Sequence, residues 1–323
     1  MINNKLIRPD WWRGETSYMR DGFGEALVEL GEQMEDLLVL TADLGSSLRL
    51  EAFKEKFSKR YFNVGVAEQN MLGLAAGLAA EGWKPVTTSF AVFSPGRSWD
   101  QIRVSVAYSE ANVKIVGSHG GIATGEDGAT HQALEDVALM QVLPNVVVLA
   151  PSDESQAKMA TKAMLVHQGP VYLRLVRPKV IKLTKEVPFE IGKAYIYREG
   201  GDVSLFTYGI QVGESLNVAE ELSQEGVEVE VVNVATLKPL DKEVIIKSAA
   251  KTKRVVVIED HQVIGGLGSE VARLLISEGL SVQFKQIGMK DCFGESGNWR
   301  DLYRYYGLDK ESLKEEIKLL FED

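Results

Sequence analysis

Residues 112–141, NVKIVGSHGGIATGEDGATHQALEDVALMQ, run from a predicted strand through a glycine-rich loop into a predicted helix. The first part, NVKIVGSH, is a short apolar run, which is typical of a strand covered on both faces. The last part, HQALEDVALMQ, has the apolar spacing of a helix. Polar residues therefore follow the carboxyl end of a strand, where ligands bind in open parallel sheets.

The same succession of strand and helix continues along the chain. The other predicted strands are LLVLTADLG, KPVTTSF, NVVVLAP, GPVYLRLVR, VSLFTYG, VEVEVVNVATL, RVVVIED and VQFKQIG. Helical spacing occurs between them, and in SDESQAKMATKAMLVHQ we expect Ser152 to be the N-cap. This alternation predicts an α/β fold with parallel sheets covered by helices on both faces.

The character of the sequence changes after Arg177. The segment PKVIKLTKEVPFEIGKAYIYREGGD has two prolines and no helical period, so we predict an extended linker with a hairpin. The whole chain has 323 residues, which suits two domains of roughly 150 residues each. We place the first domain at 1–180, the linker at 181–195 and the second domain at 196–323.

Composition limits the classes of function. The net charge is −10 and the pI is about 5.1, which argues against binding nucleic acid or an anionic membrane. The single cysteine, Cys292, allows neither an intrachain disulfide nor a cysteine-based zinc site. The N-terminus MINNKLIRPDWWRGE lacks the apolar core of a secretion signal, and no apolar run is long enough to span a membrane. We expect a cytoplasmic protein.

Three interpretations of the glycine-rich loop are open from its residues alone. It contains His119, Asp127 and His131, with four glycines between the two histidines. Histidine can donate to hydroxyls or phosphate, and aspartate can orient a sugar hydroxyl, so the loop suits a ligand site. A solvated loop before a helix has the same composition. A metal site is the third interpretation, although the ligand spacing is not tight.

Two further segments have both a structural and a functional interpretation. Glu68 opens the helix AEQNMLGLAAGLAAEG, where an acid offsets the helix dipole, but its apolar neighbours would hold a proton on a buried carboxyl. Phe90 and Phe93 lie three residues apart and suit either a core or a stacking surface. The segment IEDHQVIGGLGSEV lacks the G-x-G-x-x-G spacing, so it indicates tight strand-to-helix packing rather than a dinucleotide site.

Taken together, the segments TADLGSS, GVAEQNM, TSFAVF, WDQIR and GEDGATHQ resemble, in order, motifs of the C-terminal half of transketolase. Transketolase is a thiamine diphosphate (ThDP) enzyme that moves a two-carbon ketol unit from a ketose phosphate to an aldose phosphate. The resemblance covers nearly the whole chain, including LKPLD and IGGLGS in the second half. It implies a ThDP pyrimidine-binding domain followed by a transketolase C-terminal domain.

The resemblance also implies roles for individual residues. It places Asp43, Leu44, Glu68, Phe90 and Phe93 at the cofactor, Glu68 and His131 as catalytic residues, and Arg20, Ser47, His119, Asp127, His131 and Arg177 at the sugar phosphate. In that family the glutamate hydrogen-bonds a ring nitrogen of the cofactor's aminopyrimidine. Arginine suits phosphate because its planar fork forms paired, charge-assisted hydrogen bonds. We assign no role to residues 95–99.

Full-length transketolases bind the cofactor diphosphate through a metal, using a Gly-Asp-Gly…Asn motif that this sequence lacks. We therefore expect a split enzyme, an α2β2 heterotetramer in which an N-terminal subunit holds the diphosphate and Mg²⁺ or Ca²⁺, with no metal site in this chain. The alternatives are half of a deoxyxylulose-phosphate synthase-like enzyme and the β subunit of a 2-oxo acid dehydrogenase E1, both of which use pyruvate. A non-catalytic homologue acting as a binding or assembly module is a further alternative.

Overall fold

The computed structural model describes residues 1–321 and contains two large sheets. The strands are β1 (Thr16–Ser17), β2 (Leu37–Thr41), β3 (Tyr61–Asn63), β4 (Lys84–Phe90), β5 (Lys114–Ser118), β6 (Val147–Leu149), β7 (Val171–Arg174), β8 (Val180–Ile181), β9 (Tyr195–Arg198), β10 (Val203–Thr207), β11 (Val229–Asn233), β12 (Thr236–Lys238), β13 (Arg254–Gln262) and β14 (Gln283–Met289). The helices are α1 (Met19–Gly31), α2 (Glu51–Lys56), α3 (Glu68–Ala80), α4 (Trp99–Gln101), α5 (Asp136–Gln141), α6 (Glu154–Val166), α7 (Gln211–Gln224), α8 (Lys242–Thr252), α9 (Leu267–Ser277), α10 (Trp299–Tyr305) and α11 (Lys310–Lys318). None of the helices within 1–321 is long and apolar enough to cross a membrane.

The two sheets are dominated by parallel pairs. The first has the strand order β12-β6-β7-β5-β4-β2-β3, and only the β12–β6 pair is antiparallel. The second has the order β14-β13-β10-β11-β9, and only β9 runs antiparallel to its neighbour. A tight turn cannot join two parallel strands, so helices connect many of them. The predicted α/β class is confirmed.

Burial on both faces explains why the strands are apolar without alternation. On β2, Leu37 and Val39 pack into one core cluster, while Leu38 and Leu40 pack into the other. All five residues of this strand are buried. A strand covered on both faces has no solvent side, so a polar side chain without a hydrogen-bond partner would cost free energy at any position.

Two expectations about local structure are wrong. The predicted hairpin after Arg177 does not form, because β8 pairs with β1 and β9 pairs with β11. The segment VEVEVVNVATL is two strands rather than one, and the second of them, β12, joins the first sheet beside β6. In both cases the extended segments pair with strands that are distant in sequence, which a local pattern does not encode.

The N-cap of α6 is Asp153 rather than the predicted Ser152. The Asp153 carboxylate accepts a hydrogen bond from the backbone N–H of Gln156 at 2.9 Å. It also accepts from the backbone N–H groups of Leu183 and Thr184 at 2.7 and 2.6 Å. A carboxylate has more acceptor positions than a serine hydroxyl, so Asp153 can cap the helix and also bind the distant backbone at Leu183 and Thr184.

The carboxyl ends of three neighbouring strands form the edge that carries the candidate site. In the register of the first sheet, Thr88 of β4 pairs with Thr41 of β2, and Phe90 of β4 pairs with Ser118 of β5. The segments TADLGSS, TSFAVF and GSHGGIATGEDGATHQ therefore leave the sheet side by side. The polar residues of these segments are brought to one place by the parallel topology.

Candidate active site

An aromatic cluster lies at the carboxyl end of β4. The rings of Phe90 and Phe93 are nearly parallel, with centroids 6.1 Å apart and an interplanar angle of 20°. His119 stacks on Phe90 at 3.7 Å, and His131 meets Phe93 edge-on at 5.3 Å. Two segments about 30 residues apart thus supply one aromatic surface, which we call the ring cluster (Phe90, Phe93, His119 and His131).

Glu68 lies beside the ring cluster. Its side chain is only 2% exposed and stands at the first position of α3, where the helix dipole favours a negative charge. The carboxylate accepts a hydrogen bond from Nη1 of Arg97 at 2.9 Å, and the Arg97 guanidinium lies 4.6 Å from the centroid of the Phe93 ring. The structure therefore joins Glu68 to the aromatic pair through Arg97, a residue to which the sequence assigned no role.

Arg20 is a buried cation on the other side of the loops. Its Nη1 donates to the carbonyl of Ser47 at 2.6 Å and its Nη2 to the carbonyl of Arg177 at 2.8 Å, while its buried Nε–H has no partner within residues 1–321. Burial, and then the charge of Arg49, lowers the pKa of Arg20 to about 10. The guanidinium stays charged at neutral pH and keeps one unused donor, which suits an anionic ligand.

Arg177 connects this cation to the glycine-rich loop. Its Nη1 donates to the carbonyl of Thr124 and to Oε2 of Glu126, the latter at 2.6 Å. Arg20, Ser47 and Arg177 thus form a cationic group that contacts the loop between the two histidines. Arg20 is thus in direct contact with two other residues that are predicted to bind the sugar phosphate.

His119 is held in an unusual backbone conformation. Its φ is +59°, in the left-handed region that is uncommon for residues other than glycine. The Thr124 hydroxyl donates to the His119 carbonyl at 2.6 Å and fixes this turn. Burial, and then the charges of Arg20 and Arg177, lowers the pKa of His119 to about 2. The imidazole is therefore neutral at neutral pH and can orient a hydroxyl without carrying charge.

The remaining predicted residues lie on the rim of the site. Asp43 is exposed, has φ +60° and accepts a hydrogen bond from Nδ2 of Asn63 at 2.8 Å, while Leu44 beside it is half-buried. Asp127 is exposed at the end of the 3₁₀ segment Ile122–Asp127. Asp43 and Leu44 lie on the loop that follows β2, and Asp127 lies on the loop that follows β5.

Asp260 of β13, to which the sequence analysis assigns no role, supports the glycine-rich loop. Its carboxylate accepts hydrogen bonds from the Ile122 N–H at 2.7 Å and from the Tyr303 hydroxyl at 2.9 Å. Gly121 passes so close, with φ +89°, that a Cβ there would lie 2.1 Å from Asp260. Only the folded structure brings residues so distant in sequence together, so no local signal identifies this support.

The side chain of Glu259 occupies the glycine turn before α9. The buried Glu259 carboxylate accepts hydrogen bonds from the N–H groups of Leu267 at 2.8 Å and Gly268 at 3.0 Å. In a dinucleotide fold the ligand's phosphate takes this position at the helix N-terminus. A side chain of the protein already satisfies these donors. Within residues 1–321, no group of three or more histidine, cysteine or acidic side chains is placed to hold a metal ion.

Family models match both halves of the chain. The model described as "Transketolase, pyrimidine binding domain" matches residues 15–182, and the model described as "Transketolase, C-terminal domain" matches residues 192–313. The two matched ranges follow each other in the order that the sequence motifs suggest.

Curated proteins and solved structures agree with these models. A putative transketolase C-terminal section of Methanocaldococcus jannaschii is 46% identical over 302 residues, covering 93% of this chain and 95% of that protein. The 6-deoxy-6-sulfo-D-fructose transketolase subunit SqwH of Clostridium sp. (strain MSTE9) is 42% identical, covering 93% of each. A solved structure titled "Split gene transketolase, inactive beta4 tetramer" is 41% identical, with a TM-score of 0.87 and coverage of 93% of this chain and 97% of that one.

Proposed function

This chain belongs to the transketolase family, and we propose that it is the C-terminal subunit of a two-subunit transketolase that transfers a two-carbon ketol unit from a ketose phosphate to an aldose phosphate. The observation that carries the proposal is the buried carboxylate of Glu68 beside the nearly parallel rings of Phe90 and Phe93. A carboxyl and two aromatic faces suit a flat heteroaromatic ring with a hydrogen-bonding nitrogen. The aminopyrimidine of ThDP is such a ring.

Each residue near the ring has a defined task in this proposal. Glu68 holds the proton that it shares with the ring nitrogen, and its burial keeps water from competing for that hydrogen bond. Phe90 and Phe93 fix the plane of the ring. ThDP, when bound, supplies the carbon nucleophile that accepts the two-carbon unit. His131, at the edge of both phenyl rings, is placed to exchange a proton with a substrate hydroxyl.

The cationic group provides the sugar end of the site. Arg20, Ser47 and Arg177 would bind the terminal phosphate, with the unused Nε–H of Arg20 as one donor. His119, neutral because of its surroundings, and Asp127, on the rim, would bind hydroxyls of the donor. Glu126, which is paired with Arg177, would yield that arginine to the phosphate.

The partner subunit completes the cofactor site. We propose that an N-terminal chain holds the diphosphate with Mg²⁺ or Ca²⁺, and that Asp43 and Leu44 on the rim face the cofactor between the two chains. The related split-gene transketolase, described as inactive in its β4 tetramer, supports this dependence. The expected assembly is an α2β2 heterotetramer.

The proposal is tested by assaying the co-expressed pair of chains with several donors. Xylulose 5-phosphate with ribose 5-phosphate should give two-carbon transfer, measured by mass spectrometry of the sugar products. Because one relative is named for a sulfonated sugar, 6-deoxy-6-sulfo-D-fructose is a necessary second donor. Consumption of pyruvate with release of carbon dioxide would instead identify a synthase or a dehydrogenase subunit.

Arg20→Lys should weaken binding of phosphorylated donors. Lysine keeps the charge but lacks the planar fork that contacts Ser47 and Arg177, so the KM should rise roughly ten- to a hundredfold with kcat little changed. Steady-state kinetics with the two-chain complex measures this effect. Arg304→Lys, at an arginine whose side chain is 74% exposed, is the matched control. Equal losses with phosphorylated and unphosphorylated donors would contradict a phosphate role for Arg20.

A further inference from the structure

The Arg97 side chain contacts two residues of the proposed cofactor site. Its Nη1 donates to Oε2 of Glu68 at 2.9 Å, and its guanidinium lies 4.6 Å from the centroid of the Phe93 ring. The two partners differ in freedom, because the Arg97 side chain is 49% exposed and that of Glu68 only 2%. Arg97 can move into solvent, whereas the carboxylate cannot.

The Arg97 guanidinium can make the same kinds of contact with Glu68 and Phe93 as the aminopyrimidine of the proposed ligand. It is planar, it donates to a carboxylate and it stacks on an aromatic face. If Glu68 and Phe93 receive the aminopyrimidine, as the proposed function states, the ring and the guanidinium compete for the same two contacts. We propose that Arg97 is a gate that fills the pyrimidine site of the cofactor-free enzyme and leaves it when ThDP binds.

The backbone around Arg97 supports a movement of the side chain alone. The Arg97 N–H donates to the Phe93 carbonyl at 2.9 Å, and the Arg97 carbonyl accepts from Nε2 of Gln69 at 3.2 Å. Gly96 adjoins it in a turn so tight that a Cβ would lie 2.1 Å from the Val92 carbonyl oxygen. The main chain is thus fixed on both sides, while the end of the side chain reaches solvent.

The gate has an energetic role in the cofactor-free state. A buried carboxylate without a partner is costly, and the ion pair with Arg97 offsets that cost. Because the pair must break before the ring can bind, its stabilisation is subtracted from the affinity for ThDP. The pair therefore protects the empty site and weakens cofactor binding at the same time.

The gate is tested by calorimetric titration of the two-chain complex with ThDP and Mg²⁺. Arg97→Met and Arg97→Gln should each lower the Kd for ThDP roughly tenfold, because the cofactor-free state loses its ion pair. The same variants should lower the thermal midpoint without ThDP and leave it unchanged at saturating ThDP. Arg273→Gln, which removes the exposed Arg273–Glu270 pair, is the matched control and should change neither quantity.

Two other outcomes would contradict the proposal that Arg97 is a gate. An unchanged or higher Kd, with the thermal midpoint lowered equally with and without ThDP, would show a permanent structural pair. A structure of the ThDP-bound complex in which Arg97 remains on Glu68 would have the same meaning. In both cases the proposed function would still be supported if the wild-type complex binds ThDP and the Glu68→Gln substitution weakens that binding. If the wild-type complex does not bind ThDP, the gate and the proposed function both fail.

Discussion

Replacing Glu68 by alanine is expected to lower the rate of two-carbon transfer by about 10²- to 10⁴-fold, the range that a general acid–base residue contributes. The carboxyl stands at the first turn of α3 with 2% of its side chain exposed, beside the rings of Phe90 and Phe93. Without it, no buried group at this position can share a proton with the aminopyrimidine nitrogen. Stopped assays of the two-chain complex, at saturating ThDP, measure the loss.

The controls for this prediction separate chemistry from folding. Glu68→Gln keeps the shape and a hydrogen-bonding group but cannot take up a proton, so it should lose nearly as much rate as Glu68→Ala. Glu81→Gln, at the exposed C-cap of the same helix, should be neutral. Circular dichroism should be the same for all variants. Near wild-type transfer by Glu68→Ala would remove Glu68 from the mechanism.

Much of the fold follows from local patterns in the sequence. β4 coincides with the predicted strand KPVTTSF, and α3 begins at Glu68, the residue that the motif marks. Because parallel strands end at one edge, predicting the strands also predicts that the polar segments after them meet. The neighbourhood of Phe90, Phe93, His119 and His131 was therefore accessible from sequence.

Contacts between segments that are distant in the chain could not be predicted from the sequence. Arg97 pairs with a carboxylate 29 residues away, and Asp260 supports a loop 138 residues away, so no periodicity connects them. The left-handed conformation of His119 depends on the hydroxyl of Thr124 rather than on a glycine, so composition does not reveal it. β12 follows β11 in one extended stretch of sequence, and its pairing with β6 in the other sheet is a long-range contact that the local pattern does not encode.

The second large effect concerns the chain without its partner. We expect this chain alone to show no two-carbon transfer, because in the proposed function its residues bind the aminopyrimidine and the sugar phosphate, while another subunit binds the diphosphate. Adding the N-terminal subunit should restore activity, and the activity should saturate at equal amounts of the two chains.

The hypothesis that the active site is split between two chains is tested most directly by titrating this chain with its purified N-terminal partner. The titration contains ThDP, Mg²⁺, xylulose 5-phosphate and ribose 5-phosphate. We expect no product from either chain alone. Product formation should rise with added partner until the molar ratio of the two chains reaches one to one. Light scattering on the same samples should give a mass of two copies of each chain. Turnover of both sugar phosphates by this chain alone would contradict the account.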